Sequence, residues 1–313
     1  MAERRNKRRE MDSGERNKKK GGGIGGVIST LVLILALGVF CYAGYQLFTI
    51  YMDYKVGTDE YAAIEESVKS EESQGEDAVQ KVTEGFREEE MEANHTLGDE
   101  WGDVWLDEAA SGKKFEEMEN PVDFESLKAI NEDVVGWLEM EAIDVSYPIA
   151  QGGDNNYYLH RTIQKTDNFA GSIFLDFQNH SNFGDRNSII YGHNMKNGSM
   201  FGTLRKYREQ ETLEKSPYFW IYTPDYIYKY EIFSCAEVDQ YSEDYQITFP
   251  TRDSFERFLE RTTGQSLVDT DVVMSYGDTV VTLSTCTGNE ATRFIVQGKR
   301  IRTYKAVSGG NEE

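Results

Sequence analysis

One stretch of the chain, residues 21–52, contains no charged side chain and carries Val27, Ile28 and a dense apolar run over 31–40. About 20 apolar residues in helical form suffice to cross a bilayer, so the pattern predicts a transmembrane anchor over 21–52. The pattern then changes sharply. Residues 53–119 are strongly acidic, with Glu65-Glu66, Glu71-Glu72 and Glu88-Glu89-Glu90, and have few aliphatics. Such a segment cannot bury enough apolar surface to order itself, and like charge extends it. It reads as a stalk, partly disordered or helical.

Folded-domain patterning begins at Asn120. Asp123 suits an N-cap, and Phe124, Leu127 and Ile130 recur at helical spacing. Val134-Val135-Gly136-Trp137-Leu138 reads as a strand. Residues 143–147 alternate like a second one, which Pro148 ends or places at a sheet edge. A helical turn over 154–160 precedes strands over 171–176 and 188–191, and a short helix is expected over 200–207. Tyr218 to Tyr222 and Tyr226 to Val238 form a hairpin around Thr223-Pro224-Asp225, whose aromatic wealth fits cross-strand packing. Phe255, Phe258 and Leu259 share one face of a helix that Gly264 stops. The last strands cover 279–285 and 293–301, before a loose tail over 307–313. Many short strands separated by turns, with few helices, predict a mostly β fold that is a closed or nearly closed barrel.

Charge sharpens the first of these readings. The 313-residue chain has a formal net charge of −22, yet its first 20 residues hold nine Lys or Arg against Glu3, Glu10, Asp12 and Glu15, a local balance of +5. A basic tail can signal nucleic acid, but here it directly precedes the apolar run. Basic flanks favour the cytoplasmic side, which puts the N-terminus inside and the bulk of the chain outside. Cleavage as a signal peptide is the alternative, though its apolar core is ordinarily only about 7–15 residues long. No metal-ligand spacing and no phosphate-cradling glycine loop appears, and neither cofactor nor nucleic acid is expected.

The chemistry gathers near the C-terminal end. Thr282-Leu283-Ser284-Thr285-Cys286 ends one strand, Thr287-Gly288-Asn289 turns, and Arg293 opens the next strand. Such a hairpin sets Cys286 beside Arg293. The thiolate is the nucleophile, and a neighbouring fixed cation favours it. Arg also presents a planar fork of donors to a carbonyl or an oxyanion. Its position beside the thiol predicts an inward-facing role. Among His95, His160, His180 and His193, the last stands where the apolar run 188–191 gives way to Gly192-His193-Asn194, which suits a proton carrier. Cys41 falls in the apolar run. Cys235, in a strand-like segment, reads as core packing, although a disulfide with Cys286 is conceivable outside the cell.

The run Thr282 to Cys286, the downstream Arg293 and the upstream Tyr191-Gly192-His193-Asn194 together resemble the sortases, cysteine transpeptidases of Gram-positive cell surfaces. The helical insertion over 251–264 makes class B the nearest match. This resemblance implies an eight-stranded sortase barrel over 120–306 with an added N-terminal helix. It implies catalysis by His193, Cys286 and Arg293, and a groove lined by Ser284, Thr285 and Thr287. Asn155 and Leu159 are expected to contact the first residues of a bound signal. The implied partners are secreted proteins bearing a C-terminal sorting signal, and a peptidoglycan amine or its lipid-linked precursor as acceptor. Three alternatives stay open: pilin polymerisation through a protein Lys, hydrolysis with water as acceptor, and a non-enzymatic surface scaffold.

Overall fold

The computed structural model describes residues 24–69, 114–289 and 291–308. The expected basic tail over 1–20, the stretch 70–113 of the expected stalk and the last five residues lie outside the described residues. The chain divides into two units, Met1–Met52 and Asp53–Glu313. The described part of the first unit belongs to helix α1 (Ile24–Val68). There Leu31, Leu33, Leu35, Phe40 and Leu47 are all exposed, and the helix is long and apolar enough to cross a bilayer.

The second unit is built on strands β1 (Glu117–Asn120), β2 (Val134–Met140), β3 (Val145–Ala150), β4 (Ile173–Leu175), β5 (Asn187–Tyr191), β6 (Tyr218–Tyr222), β7 (Tyr226–Asp239), β8 (Val280–Cys286) and β9 (Thr292–Ser308). Hydrogen bonding runs β9-β7-β6-β2-β3-β4-β5-β8 and returns to β9. Eight strands therefore close a barrel, which removes the exposed edges an open sheet would carry. β1 adds outside the ring, parallel to the end of β9, and takes up Val307 and Ser308 from the expected loose tail. β3–β4 and β5–β8 pair in parallel, the other barrel pairs antiparallel.

Alternation along the strands fills the barrel. Phe219 and Ile221 of β6 are buried while Tyr218, Trp220 and Tyr222 are half-buried. The expected cross-strand aromatic packing is present, with Phe219 and Tyr230 stacked at 4.9 Å. Pro148 does not end its strand. It pairs with Trp137 inside β3, and it is tolerated because β4 joins β3 only at Ile149 and Ala150, so a residue without an N–H leaves no ladder bond unmade.

Helix α2 (Phe124–Ile130) is capped by the Asp123 carboxylate, which accepts the Glu125 and Ser126 N–H groups. The expected short helix over 200–207 forms only as a turn leading into a 3-10 segment, Leu204–Arg208. Helix α3 (Gln210–Lys215) follows it. Helix α4 (Arg252–Gly264) starts at a Thr251–Ser254 capping box. Its Phe255, Phe258 and Leu259 pack with Val280 against the outside of the barrel. That layer explains why β8 is buried at six consecutive positions: one face looks into the barrel and the other lies under α4 and its approach.

The main correction concerns the stalk expected over 53–119. Residues 53–68 continue α1 and belong with the barrel. Tyr61, Ile64 and Val68 are buried in its main core, and their i, i+3, i+7 spacing forms one apolar face inside an acidic sequence. The Tyr61 hydroxyl donates to the Gly171 carbonyl and meets the Ser172 hydroxyl, each at 3.0 Å. The Lys69 ammonium is nearly fully buried between Glu65 and Glu139. Lys69 also bridges to Val122.

Candidate active site

Cys286 ends β8 and Arg293 stands near the start of β9, and the two are paired directly across the antiparallel ladder. Opposite residues share a face of the sheet with Cα atoms about 4.5–5.5 Å apart. That face is the outer one. Phe294 and Val296, on the alternate positions, belong to the main core, whereas Ile295 packs outside with Ala236, Val238 and Tyr245. The inward role expected of Arg293 is therefore corrected, because the period of two carries it out of the barrel with Ile295 and Gln297. Its guanidinium donates to the Thr292 carbonyl at 2.9 Å and to Gln240 Oε1 at 3.3 Å.

On the other side of β8 runs β5, with Tyr191 in register with Ser284. The Gly192 N–H donates to the Ser284 carbonyl at 3.1 Å, and Asn194 Nδ2 donates to the Cys286 carbonyl at 2.8 Å. His193 lies between these two anchors, two residues beyond the end of β5. Its Nε2 lies 2.8 Å from the Leu159 carbonyl. A carbonyl only accepts, so Nε2 carries the proton and Nδ1 is the nitrogen left to exchange one. Burial pushes this imidazole below its ordinary value, the Leu159 contact opposes that, and His160 adds to it. The His160 ring centroid is 6.4 Å away.

The wall of the site comes from residues 239–247. The buried Asn187 side chain donates to the carbonyls of Asp244 and Gln246 at 3.0 and 2.9 Å and so pins this segment over β8. Tyr245 then shares a 2.7 Å hydrogen bond with the Ser284 hydroxyl and stacks on Tyr191 at 6.3 Å. Burial raises the Tyr245 phenol to about 12, with the Arg293 cation pulling the other way. Tyr191 donates to Asp176 at 3.0 Å, and Asn155 donates to the same carboxylate at 2.8 Å.

Of the residues expected in the groove, Ser284 is on the site face, and Asn155 and Leu159 touch the same network from the loop before β4. Thr285 is not on that face. It pairs with Phe294 and is only 2 % exposed, so it points into the barrel. The Thr287 carbonyl is held by Arg205 at 3.0 Å. Cys235 is a free, buried thiol, and Cys286 is free and half-buried, so the disulfide considered from sequence is not formed. Tyr191, Asn194, Asp176, Gln240, Tyr245 and Arg205 were not picked out individually from the sequence. Tyr191 and Asn194 flank His193 and could have been found there; the others carry no local signal.

The sortase domain family matches residues 138–301. Sortase B of Listeria monocytogenes is 37% identical over 215 residues, which cover 68% of this chain and 87% of that protein. Sortase B of Staphylococcus aureus is 32% identical over 175 residues, covering 55% and 72%. Among solved structures, a Staphylococcus aureus sortase B–substrate complex superposes with a TM-score of 0.55 at 31% identity, over 57% of this chain and 84% of that one. Sortase B from Bacillus anthracis in complex with AAEK1 gives 0.55 at 36% identity, over 61% and 89%. An eight-stranded barrel with these relatives is that of a cysteine transpeptidase. The chain belongs to the sortase family, and within it is sortase B-like. The non-enzymatic scaffold reading is thereby set aside.

Proposed function

We propose that this transpeptidase joins secreted proteins to the cell wall through a thioester on Cys286. The observation that carries the reading is that β8, which ends at Cys286, runs between β5, which leads into His193 and Asn194, and β9, where Arg293 pairs with Cys286. Cys286 passes its thiol proton to His193 Nδ1, and Sγ attacks the Thr carbonyl of a sorting signal with a Pro-x-Thr core. A C–S bond forms and the carbonyl oxygen becomes an oxyanion, which Arg293 and the Thr287 N–H stabilise. The intermediate collapses by breaking the C–N bond, and the leaving amine takes a proton from His193. An incoming amine then gives a proton to His193 and attacks the thioester, and the C–S bond breaks to restore the thiolate. Splitting one acyl transfer into two steps is what a covalent nucleophile contributes.

The acceptor in this reading is an amine of peptidoglycan or of its lipid-linked precursor. The apolar residues 21–52 anchor the protein, with the basic tail on the cytoplasmic side and the barrel outside. In support, the apolar side chains of α1 before Met52 are exposed along its described length, which water disfavours and lipid accepts. The test is a library of signal peptides incubated with the full chain and an added amine, read by mass spectrometry. Cleavage after Thr with amide formation, lost in Cys286→Ala, is expected. Products that carry only water would make the enzyme a hydrolase, and turnover that survives Cys286→Ala would end the reading.

A further inference from the structure

The carbonyls of Tyr158, Leu159, His160 and Arg161 follow one another in the loop before β4. Three of them accept from the segment that leads into that strand. Tyr158 accepts the Ser172 N–H at 2.9 Å and His160 the Asn168 N–H at 3.0 Å, and Arg161 accepts the Ser172 hydroxyl at 2.7 Å. The remaining one, Leu159, accepts from His193 Nε2. Its place is therefore set by the bonds its neighbours make. Gly171 lies so close to this row that a Cβ would fall 2.5 Å from the Leu159 oxygen and 2.7 Å from the Tyr158 oxygen.

The same segment rests on α1. Asn168 Nδ2 donates to the Asp53 carbonyl at 3.1 Å, the Gln164 N–H donates to Glu60 Oε1 at 3.1 Å, and Phe169 meets Tyr54 edge to face at 4.7 Å. Tyr61 reaches the row most directly. The Ser172 hydroxyl has one proton and gives it to Arg161, so towards Tyr61 it is the acceptor. Hydrogen bonds thus pass from the Tyr61 O–H through Ser172 to the Arg161 carbonyl, and the phenol also donates to Gly171. Ser172 is fully buried and Tyr61 nearly so, so a bond lost here leaves an unsatisfied group.

We propose that Tyr61 is a positioning residue for His193: through Ser172 and Gly171 its hydroxyl holds the carbonyl row 158–161, so that the Leu159 oxygen keeps the ring proton on Nε2 and leaves Nδ1 free to exchange one. This rests on the acyl-transfer reading above. Which ring nitrogen carries the proton is set by the partner of the other, and here that partner is fixed from α1. Tyr61 itself touches no reacting atom.

The test uses the full chain in detergent, isotope-labelled at the histidine nitrogens, with the His193 signals assigned by their loss in His193→Gln. Tyr61→Phe keeps the ring and removes only the hydroxyl. The two nitrogen shifts of the neutral ring, far apart when one nitrogen alone carries the proton, should move towards each other as the second tautomer gains population. The kcat for signal-peptide cleavage should fall on the order of 10-fold, part of what a positioned proton carrier contributes, with KM within about twofold. Ser172→Ala breaks the same connection from its other end and should give both changes; it serves if Tyr61→Phe fails to fold. Val68→Ala trims α1 about two turns further along, where the Val68 carbonyl accepts from Asp123. It should lower the urea midpoint, leave the ring shifts in place and keep kcat within about twofold. Ring shifts that stay put in Tyr61→Phe and Ser172→Ala, shifts that move with no fall in kcat, or equal changes in Val68→Ala would overturn the proposal. A protein whose ring nitrogens respond as expected but which cleaves no peptide would instead overturn the acyl-transfer reading.

Discussion

Cys286 and Arg293 are cross-strand partners, seven residues apart in sequence and directly opposite across β8 and β9. Two strands and one short turn fix their spacing, so the guanidinium is held beside the thiol by backbone hydrogen bonds and not by chance packing. Gln240 and the Thr292 carbonyl orient its fork. Arg293→Lys keeps the charge but not the two-pronged donor. It should lower kcat for peptide cleavage by about 10²–10³-fold, the range for losing an oxyanion donor. Steady-state kinetics on a fluorogenic signal peptide, beside circular dichroism showing an intact barrel, check this.

His193 is pushed below its ordinary value chiefly by burial, with His160 contributing a like charge. NMR titration of the ring should therefore place it below about 6.5, its value in an unstructured chain. His160→Gln should move it upward. Between the folded and unfolded values the unfolded chain holds more protons, so this residue makes the fold less stable as pH falls through that window and has no such effect above it. Urea midpoints measured across the window should fall with pH, and less steeply in His193→Gln.

Tyr61 joins α1 to the barrel. It is 5 % exposed, lies edge-on to Tyr147 at 5.3 Å and hydrogen-bonds the loop that enters β4. Tyr61→Ala leaves a cavity and unpaired polar groups, and should cost about 3 kcal/mol of stability. A spacer would not respond in this way. Urea unfolding of the full chain in detergent, followed by barrel fluorescence, distinguishes a docked helix from a stalk.

Gly171 controls His193 from a distance. It has φ +58°, and a Cβ there would lie 2.5 Å from the Leu159 carbonyl oxygen, the atom that accepts from His193 Nε2. Gly171→Ala should therefore destabilise the fold by about 2 kcal/mol or more and also displace the acceptor that sets the His193 tautomer. A change in the His193 ring shifts, beyond that seen in an equally destabilised core variant, is the expected signature.

Local signals account for much of what was legible in the chain. Alternation marked β3 and short apolar, aromatic or β-branched runs marked most other barrel strands, and Asp123 and Thr251 mark helix starts since their side chains satisfy N–H groups that no helix can satisfy internally. The Cys286–Arg293 pairing was readable because a hairpin is short-range. Other features were settled only by tertiary structure. The acidic sequence around Tyr61, Ile64 and Val68 hid a docking face, since three apolar residues signal burial only when a partner surface exists. Which face of β9 looks inward, and hence that Arg293 is outside and Thr285 inside, follows from barrel closure and not from alternation, which fixes two faces without saying which is the core. Tyr245, Asp176 and Arg205 reach the site through Asn187 and the loops around the barrel rim, contacts between distant segments that no local pattern encodes.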